Sequence, residues 1–357
     1  MRIKLLLLLL FIFPEFAATA QDKTPKYSNE FLSIGVGARG LAMSNSLTAI
    51  TDDVTSGYWN PAGLLEIKND YEFGLMHAEY FAGIAKYDYL GFATPIDSMS
   101  ALGVSIIRFG VDDIPDTRFL YDASGAINYD RIRFFSAADY AFLLSYARKV
   151  DFLDGLKMGA NFKVIHRVAG NFATAWGFGL DLGAQLDIKK WKIGLMVRDI
   201  TGTFNAWSHN TELILDIYTQ TGNEIPENSV EITVPKAMLG VGRYFPINSF
   251  GVLASADLIF SFDGKRNTLA KSDFASFDAA IGLEVNYKKL VFLRGGAGKV
   301  QEVKDFDEST YMTFQPNFGI GFNIKGAVID YALTDIGDQS ESLYSHVFSI
   351  KAGLNKK

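Results

Sequence analysis

Cysteine is absent from the 357 residues, which excludes disulfides and a lipidated N-terminal cysteine and is neutral on compartment. Long apolar runs are missing as well. Although 48% of the chain is hydrophobic, no segment after Gln21 approaches the roughly 20 residues that a membrane-crossing helix needs. There is no basic excess: 34 Lys and Arg stand against 40 Asp and Glu, which is not the balance of a nucleic-acid binder. Histidine is scarce. His77, His166, His209 and His346 include no pair at metal-ligand spacing, so no metal site is expected. Neither a nucleophile elbow nor a spaced nucleophile, base and acid occurs, so neither an enzyme nor a cofactor is expected.

One apolar run does exist, at the start. Arg2 and Lys4 precede Leu5 to Phe13, and Ala18-Thr19-Ala20 has the small-x-small pattern of signal-peptidase sites. Residues 1–20 therefore read as a signal peptide, with the mature chain beginning at Gln21.

Beyond it the dominant pattern is period two. Trp176, Phe178, Leu180, Leu182, Ala184 and Leu186 share one face, against Gly177, Gly179, Asp181, Gly183, Gln185 and Asp187. Phe277, Ala279, Ile281, Leu283 and Val285 oppose Asp278, Gly282, Glu284 and Asn286. Met312, Phe314, Phe318, Ile320 and Phe322 oppose Thr313, Gln315, Asn317, Gly319 and Gly321. Such runs of about 10 residues suit a tilted membrane strand, whereas a soluble strand is more often about 5 or 6. A soluble β-sandwich of double length would show short strands and polar outward faces.

Fourteen such segments can be placed, near 71–79, 84–94, 99–109, 139–149, 155–166, 174–188, 191–200, 236–246, 250–261, 276–287, 290–298, 312–324, 326–334 and 344–354. Their connections alternate short and long. Lys189-Lys190, Lys288-Lys289 and Lys325 are tight, while Gly110–Ala138, Thr201–Pro235, Ser261–Ala275 and Ala297–Tyr311 are long. Bacterial barrels have even strand numbers, short periplasmic turns and long outer loops. The expected fold class is all-β: a fourteen-stranded antiparallel transmembrane β-barrel over 69–357, in contact with outer-membrane lipid.

Residues 27–65, within the segment 21–68 that precedes the first strand, do not alternate. They are rich in small residues and turns, and a barrel of this size has an interior to fill. The segment is expected to be an N-terminal plug in the lumen, with Arg39 paired to Asp52, Asp53 or carboxylates of the wall, since an unpaired charge inside is costly. Gly35-Val36-Gly37-Ala38-Arg39-Gly40 matches the dinucleotide fingerprint, but the strand and βαβ unit that the motif requires are absent.

Several stretches carry a resemblance. Phe31 to Met43, with Gly35, Gly37, Arg39 and Gly40, then Asp52-Asp53 and Tyr58-Trp59-Asn60-Pro61-Ala62-Gly63-Leu64, resemble the opening of the PorV/PorQ family. Pro235 to Gly242, Asp330 to Leu333 and Ser345 to Ile350 are similar to its middle and end. Ser44-Asn45 stand where that family's pattern has a glycine pair. The family is a branch of the FadL-like fourteen-stranded barrels, and Asn60-Pro61-Ala62 matches the Asn-Pro-Ala motif of their plug. The resemblance implies a Bacteroidetes outer-membrane protein of the type IX secretion system, a shuttle or adaptor. Its partners would be secretion-machinery proteins or cargo C-terminal domains.

Two function classes follow. A secretion barrel would bind protein through outer loops, with Phe204, Trp207, Ile214, Leu215 and Tyr218 as candidate contacts, because loop aromatics outside the membrane need a partner or the barrel mouth. The alternative is a FadL-like channel for hydrophobic small molecules, which needs an apolar pocket and a plug that shifts. The expected lumen faces carry Lys157, Lys163, Asp181, Asp187, Lys192, Arg198, Asp257, Asp278, Glu284 and Asp330. These charges of both signs suggest an interior closed by ion pairs.

Overall fold

The computed structural model describes residues 28–121, 124–222, 224, 228–305, 308–334 and 344–356. The expected signal segment and its cleavage site lie outside the described residues. Strands β1 (Tyr71–Tyr80), β2 (Ala85–Pro95), β3 (Ser100–Asp116), β4 (Arg133–Lys149), β5 (Leu156–Ala169), β6 (Ala173–Ile188) and β7 (Trp191–Arg198) form a meander. Two short strands, β8 (Thr203–His209) and β9 (Ser229–Thr233), follow. The wall resumes with β10 (Lys236–Ile247) and β11 (Phe250–Ser261), and β12 (Ala270–Lys271) is a two-residue piece. It is completed by β13 (Ser276–Tyr287), β14 (Val291–Lys304), β15 (Thr310–Ile324), β16 (Ala327–Thr334) and β17 (Ser345–Leu354).

β17 pairs antiparallel with β1, β7 with β10, and β11 with β13, so fourteen strands close a barrel. Closure leaves the fourteen-stranded wall without a free edge, the one way a sheet can stand in a bilayer. The outward faces are those the alternation marked. Phe162, Phe178, Leu180, Leu182, Leu283, Phe314 and Phe318 are exposed on the strands, where lipid replaces water. The tight connections use left-handed backbone: Lys288 and Lys289 have φ of 52° and 56°, Lys325 and Gly326 54° and 92°. The two-residue connection Lys325-Gly326 is of the kind with positive φ at both central positions, which matches the twist of the strands it joins.

The long outer connections hold more structure than expected. β3 and β4 extend well into Gly110–Ala138. The expected loop Thr201–Pro235 is a strand, a helix at Thr211–Thr221 and a second strand. β8 continues β7 along β6: Val197 pairs with Leu182, and Phe204 with Phe178. The extra residues form a bulge at 199–202. Here Asp199 has φ of 56° and Ile200 N donates to Leu180 O at 2.9 Å. β9 leads likewise into β10 through Val234-Pro235, a gap where the missing N–H of proline breaks no ladder bond.

Candidate functional site

Residues 28–67 pack against inward-facing side chains of the wall. Helical turns at Glu30–Ser33, Ala38–Ala42, Ser56–Trp59 and Pro61–Glu66 alternate with bends. Within the segment, Trp59 Nε1 donates to Val36 O at 3.0 Å and Tyr58 Oη to Leu32 O at 2.6 Å. The pair Ser44-Asn45 has φ of 52° and 67°. Asparagine tolerates this region through local hydrogen bonds, and Asn45 Nδ2 donates to Ile34 O at 3.0 Å. Ser44 is the strained member, and its Oγ accepts from Asn317 Nδ2 at 2.8 Å.

Arg39 lies between two carboxylates, with Nη1 2.6 Å from Asp52 Oδ1 and Nε 3.1 Å from Glu284 Oε2. Asp53 binds Lys351 of β17 at 2.7 Å. Asn60 reaches the wall as well as its own segment: Nδ2 donates to Thr48 O at 2.9 Å and Ala184 O at 3.0 Å, while Oδ1 accepts from Ala62 N at 3.2 Å. Pro61 and Ala62 press against bare backbone, since a Cβ on Gly159 would lie 2.6 Å from the Pro61 carbonyl carbon. Gly296 does the same for Met43 and Ser44. Gly183 abuts Asn60 and Pro61, whereas Gly177 and Gly179 face Asn205 and Thr203 instead of the segment.

Most of the expected lumen charges converge as ion pairs. Lys163 joins Asp181 at 2.7 Å and Asp199 at 2.5 Å, and Lys157 joins Glu66 at 2.5 Å and Asp187 at 2.6 Å. Arg198 Nη groups donate to Leu32 O and Tyr58 O, both at 3.0 Å. Asp257 accepts from Thr48 N at 2.9 Å. Sequence reasoning missed Glu30, Lys236, Arg266, Arg294 and Lys351. Arg294 bridges Glu284 at 2.7 Å and Asp330 at 2.6 Å. It was hidden because two glycines follow it and blur the alternation. On the strand phase it points inward, opposite Gly319.

On the outer side of the segment, between it and β10, β11 and β13–β15, lies a cavity of about 330 Å³. Leu32, Ile34, Leu41, Trp59, Met238 and Ile259 give it an apolar side. Lys236, Arg266, Glu30 and Asp278 give it a charged one. Glu30 clasps Lys236 at 3.1 Å and Arg266 at 3.0 Å. Burial alone would raise the Glu30 carboxyl, but the two cations outweigh it and hold it below its ordinary range.

The candidate loop residues are placed differently from expectation. Phe204 and Trp207 sit on β8, and Trp207 is tied inward, its Nε1 3.0 Å from Glu231 Oε2 and its ring 5.0 Å from the Arg167 guanidinium. Leu215 is exposed on the helix Thr211–Thr221, and Tyr218 on the same helix is half-buried. Ile214 belongs to that helix, but its side chain lies outside the described residues.

No family model and no curated protein matches the sequence. Among solved structures, the toluene transporter TbuX of Ralstonia pickettii superposes with a TM-score of 0.54 at 15% identity, over 90% of this chain and 99% of that one. The Pseudomonas putida toluene transporter TodX gives 0.55 at 12%, over 90% and 99%. A Pseudomonas aeruginosa FadL homologue gives 0.52 at 12%, over 88% and 97%. At such identities the likeness is one of fold. The chain is a closed fourteen-stranded barrel with the fold of those transporters, the architecture of an outer-membrane protein.

Proposed function

We propose that this barrel binds a small molecule with an apolar body and a polar end in its outer cavity, and that the segment 28–67 is a plug that must shift before the molecule can pass inward. The observation that carries this reading is the cavity itself: apolar and charged walls side by side, floored by a segment held through reversible polar contacts. The fold of hydrocarbon channels supports it as analogy, and mixed apolar and precisely placed polar lining is usual for ligand sites. The test is fluorescence titration of the purified protein with a dansyl-labelled alkyl carboxylate and a neutral alkyl counterpart. Saturable binding of the carboxylate, weakened by Lys236→Ala, is expected. No saturable binding of either would reject the reading.

A second reading is the secretion-system adaptor, which would bind cargo or machinery proteins through the outer rim. What supports it is the resemblance over residues 31–64 and the exposed apolar groups Leu215, Val230 and Ile232 on the outer helix and β9. The structural neighbours favour the first reading. In a mild-detergent pull-down, a secreted protein recovered through its C-terminal domain, and lost when 211–221 is deleted, would favour the second.

A further inference from the structure

The lipid-facing belt is uneven. On β11, β13 and β15 the outward side chains are apolar for ten positions or more from the periplasmic end, as from Phe250 to Phe260, Tyr287 to Phe277 and Ile324 to Met312. On β1 the apolar stripe stops at Leu75. Above it His77 and Glu79 point outward, joined by Lys86 and Asp88 on β2 and by Arg108 and Asp112 on β3. These groups pair loosely with one another: His77 Nδ1 lies 2.7 Å from Asp88, Arg108 3.3 Å from Asp88, and Lys86 3.2 Å from Asp112. None is buried.

Their depth matters. Glu79 and Arg108 each lie eight positions above the periplasmic end of their strand, at Tyr71 and Ser100. At about 3.3 Å per residue and a tilt near 40°, that is roughly 20 Å, within an apolar band about 25 Å tall. Lipid chains there cannot solvate charge. Just above, at the edge of that band, the β1–β2 hairpin has Phe81 51% and Ile84 63% exposed at its tip. Phe81, Ala82 and Gly83 all have positive φ, at 53°, 56° and 87°. A bulky side chain is an outlier in that region, so the ring is held outward against local preference. Charge in the belt suits lipid poorly, whereas paired charge beside exposed apolar groups suits a protein surface.

We propose that this face is a two-fold interface between two copies of the chain, a property separate from what the cavity binds. Two barrels inserted with the same polarity pair about an axis along the membrane normal, so equivalent heights meet. With the axis beside β2, Glu79 on β1 of one copy faces Arg108 on β3 of the other, and symmetry forms the reverse pair. A two-fold interface requires this self-complementarity. Phe81 and Ile84 flank the axis and meet their counterparts. Asp88 lies near the axis, already bracketed by His77 and Arg108 of its own copy.

The cysteine-free chain allows a direct test. Ile84→Cys is introduced into the full protein, and intact outer membranes are mildly oxidised. A disulfide dimer of twice the monomer mass is expected, and none for Leu258→Cys on the opposite wall. In the Ile84→Cys background, Glu79→Arg should cut dimer yield about tenfold, because symmetry removes both Glu79–Arg108 pairs at once. Adding Arg108→Glu should restore it. Heat-modified gel migration confirms that each variant is a folded barrel. Absence of the dimer, indifference of the dimer to charge reversal, or an adduct with a different protein in its place would each overturn the proposal.

Discussion

Replacing Arg39 by alanine should loosen the N-terminal segment without unfolding the barrel. The substitution removes two charge-assisted hydrogen bonds, to Asp52 at 2.6 Å and Glu284 at 3.1 Å. A buried bond of this kind contributes about 1.5–3 kcal/mol. The Asp52 side chain is 43% exposed, so its share falls toward the 0–1 kcal/mol of a surface pair. Glu284 keeps Arg294 at 2.7 Å and Asp53 keeps Lys351 at 2.7 Å. Only Asp52 loses its ion-pair partner, and its side chain is 43% exposed to water, so no buried carboxylate is stranded and the cost stays below the 3–5 kcal/mol of a stranded buried charge. The net loss is about 2–3 kcal/mol, which raises the opening equilibrium of the segment roughly a hundredfold. Hydrogen exchange of the amides over 36–60 in a nanodisc should show that acceleration, while amides of β11 and β13 stay protected. Whole cells should become more sensitive to a large antibiotic that does not cross an intact outer membrane. Unchanged exchange over 36–60 would refute the reasoning, since it would mean that Arg39 does not hold the segment.

Other substitutions probe other contacts. Lys163→Met should destabilise the barrel by about 3–5 kcal/mol, because Asp181 and Asp199 lose their common partner; heat-modified gel migration at graded temperatures would register it. Asn60→Ala removes bonds to Thr48 O, Ala184 O and Ala62 N, and should cost about 2–4 kcal/mol at roughly 1 kcal/mol per bond plus unmade buried acceptors, again read by exchange over 36–60. Glu30 gives a pH dependence. Its folded carboxyl titrates below the ordinary value of 4.5, so the stabilisation is complete above that value and is lost as pH falls through the lower folded value. Probe release from the cavity should accelerate below about pH 4.5, and Glu30→Gln should flatten that part of the profile.

The wall was readable because burial on one face imposes period two, and β6, β13 and β15 carry it without interruption. The inner charges were readable for the same reason: Lys157, Lys163, Asp181, Glu284 and Asp330 stand in the polar phase of their strands. Which of them pair was not, because Lys351 meets Asp53 across almost the whole sequence and no local spacing records it. The outer stretch 201–235 read as loop because β8 follows a bulge at 199–202 that shifts its phase against β7. Arg266 lay in an irregular connection, and Lys236 at the very start of a strand, where periodicity says little. The small-residue character of 33–50 marked close packing. The wall glycines beside it, such as Gly159 and Gly296, could be matched to it only in three dimensions.

The central claim, that passage depends on movement of the segment 28–67, can be tested by locking it. Ser46 Oγ lies 2.7 Å from Ser255 Oγ on β11, and the chain has no cysteine to interfere. With Ser46→Cys and Ser255→Cys together, entry of the dansyl alkyl carboxylate into proteoliposomes should cease on oxidation and return on reduction. Binding in the outer cavity should persist in both states. Equal entry in the oxidised and reduced protein, or none in either, would contradict the account.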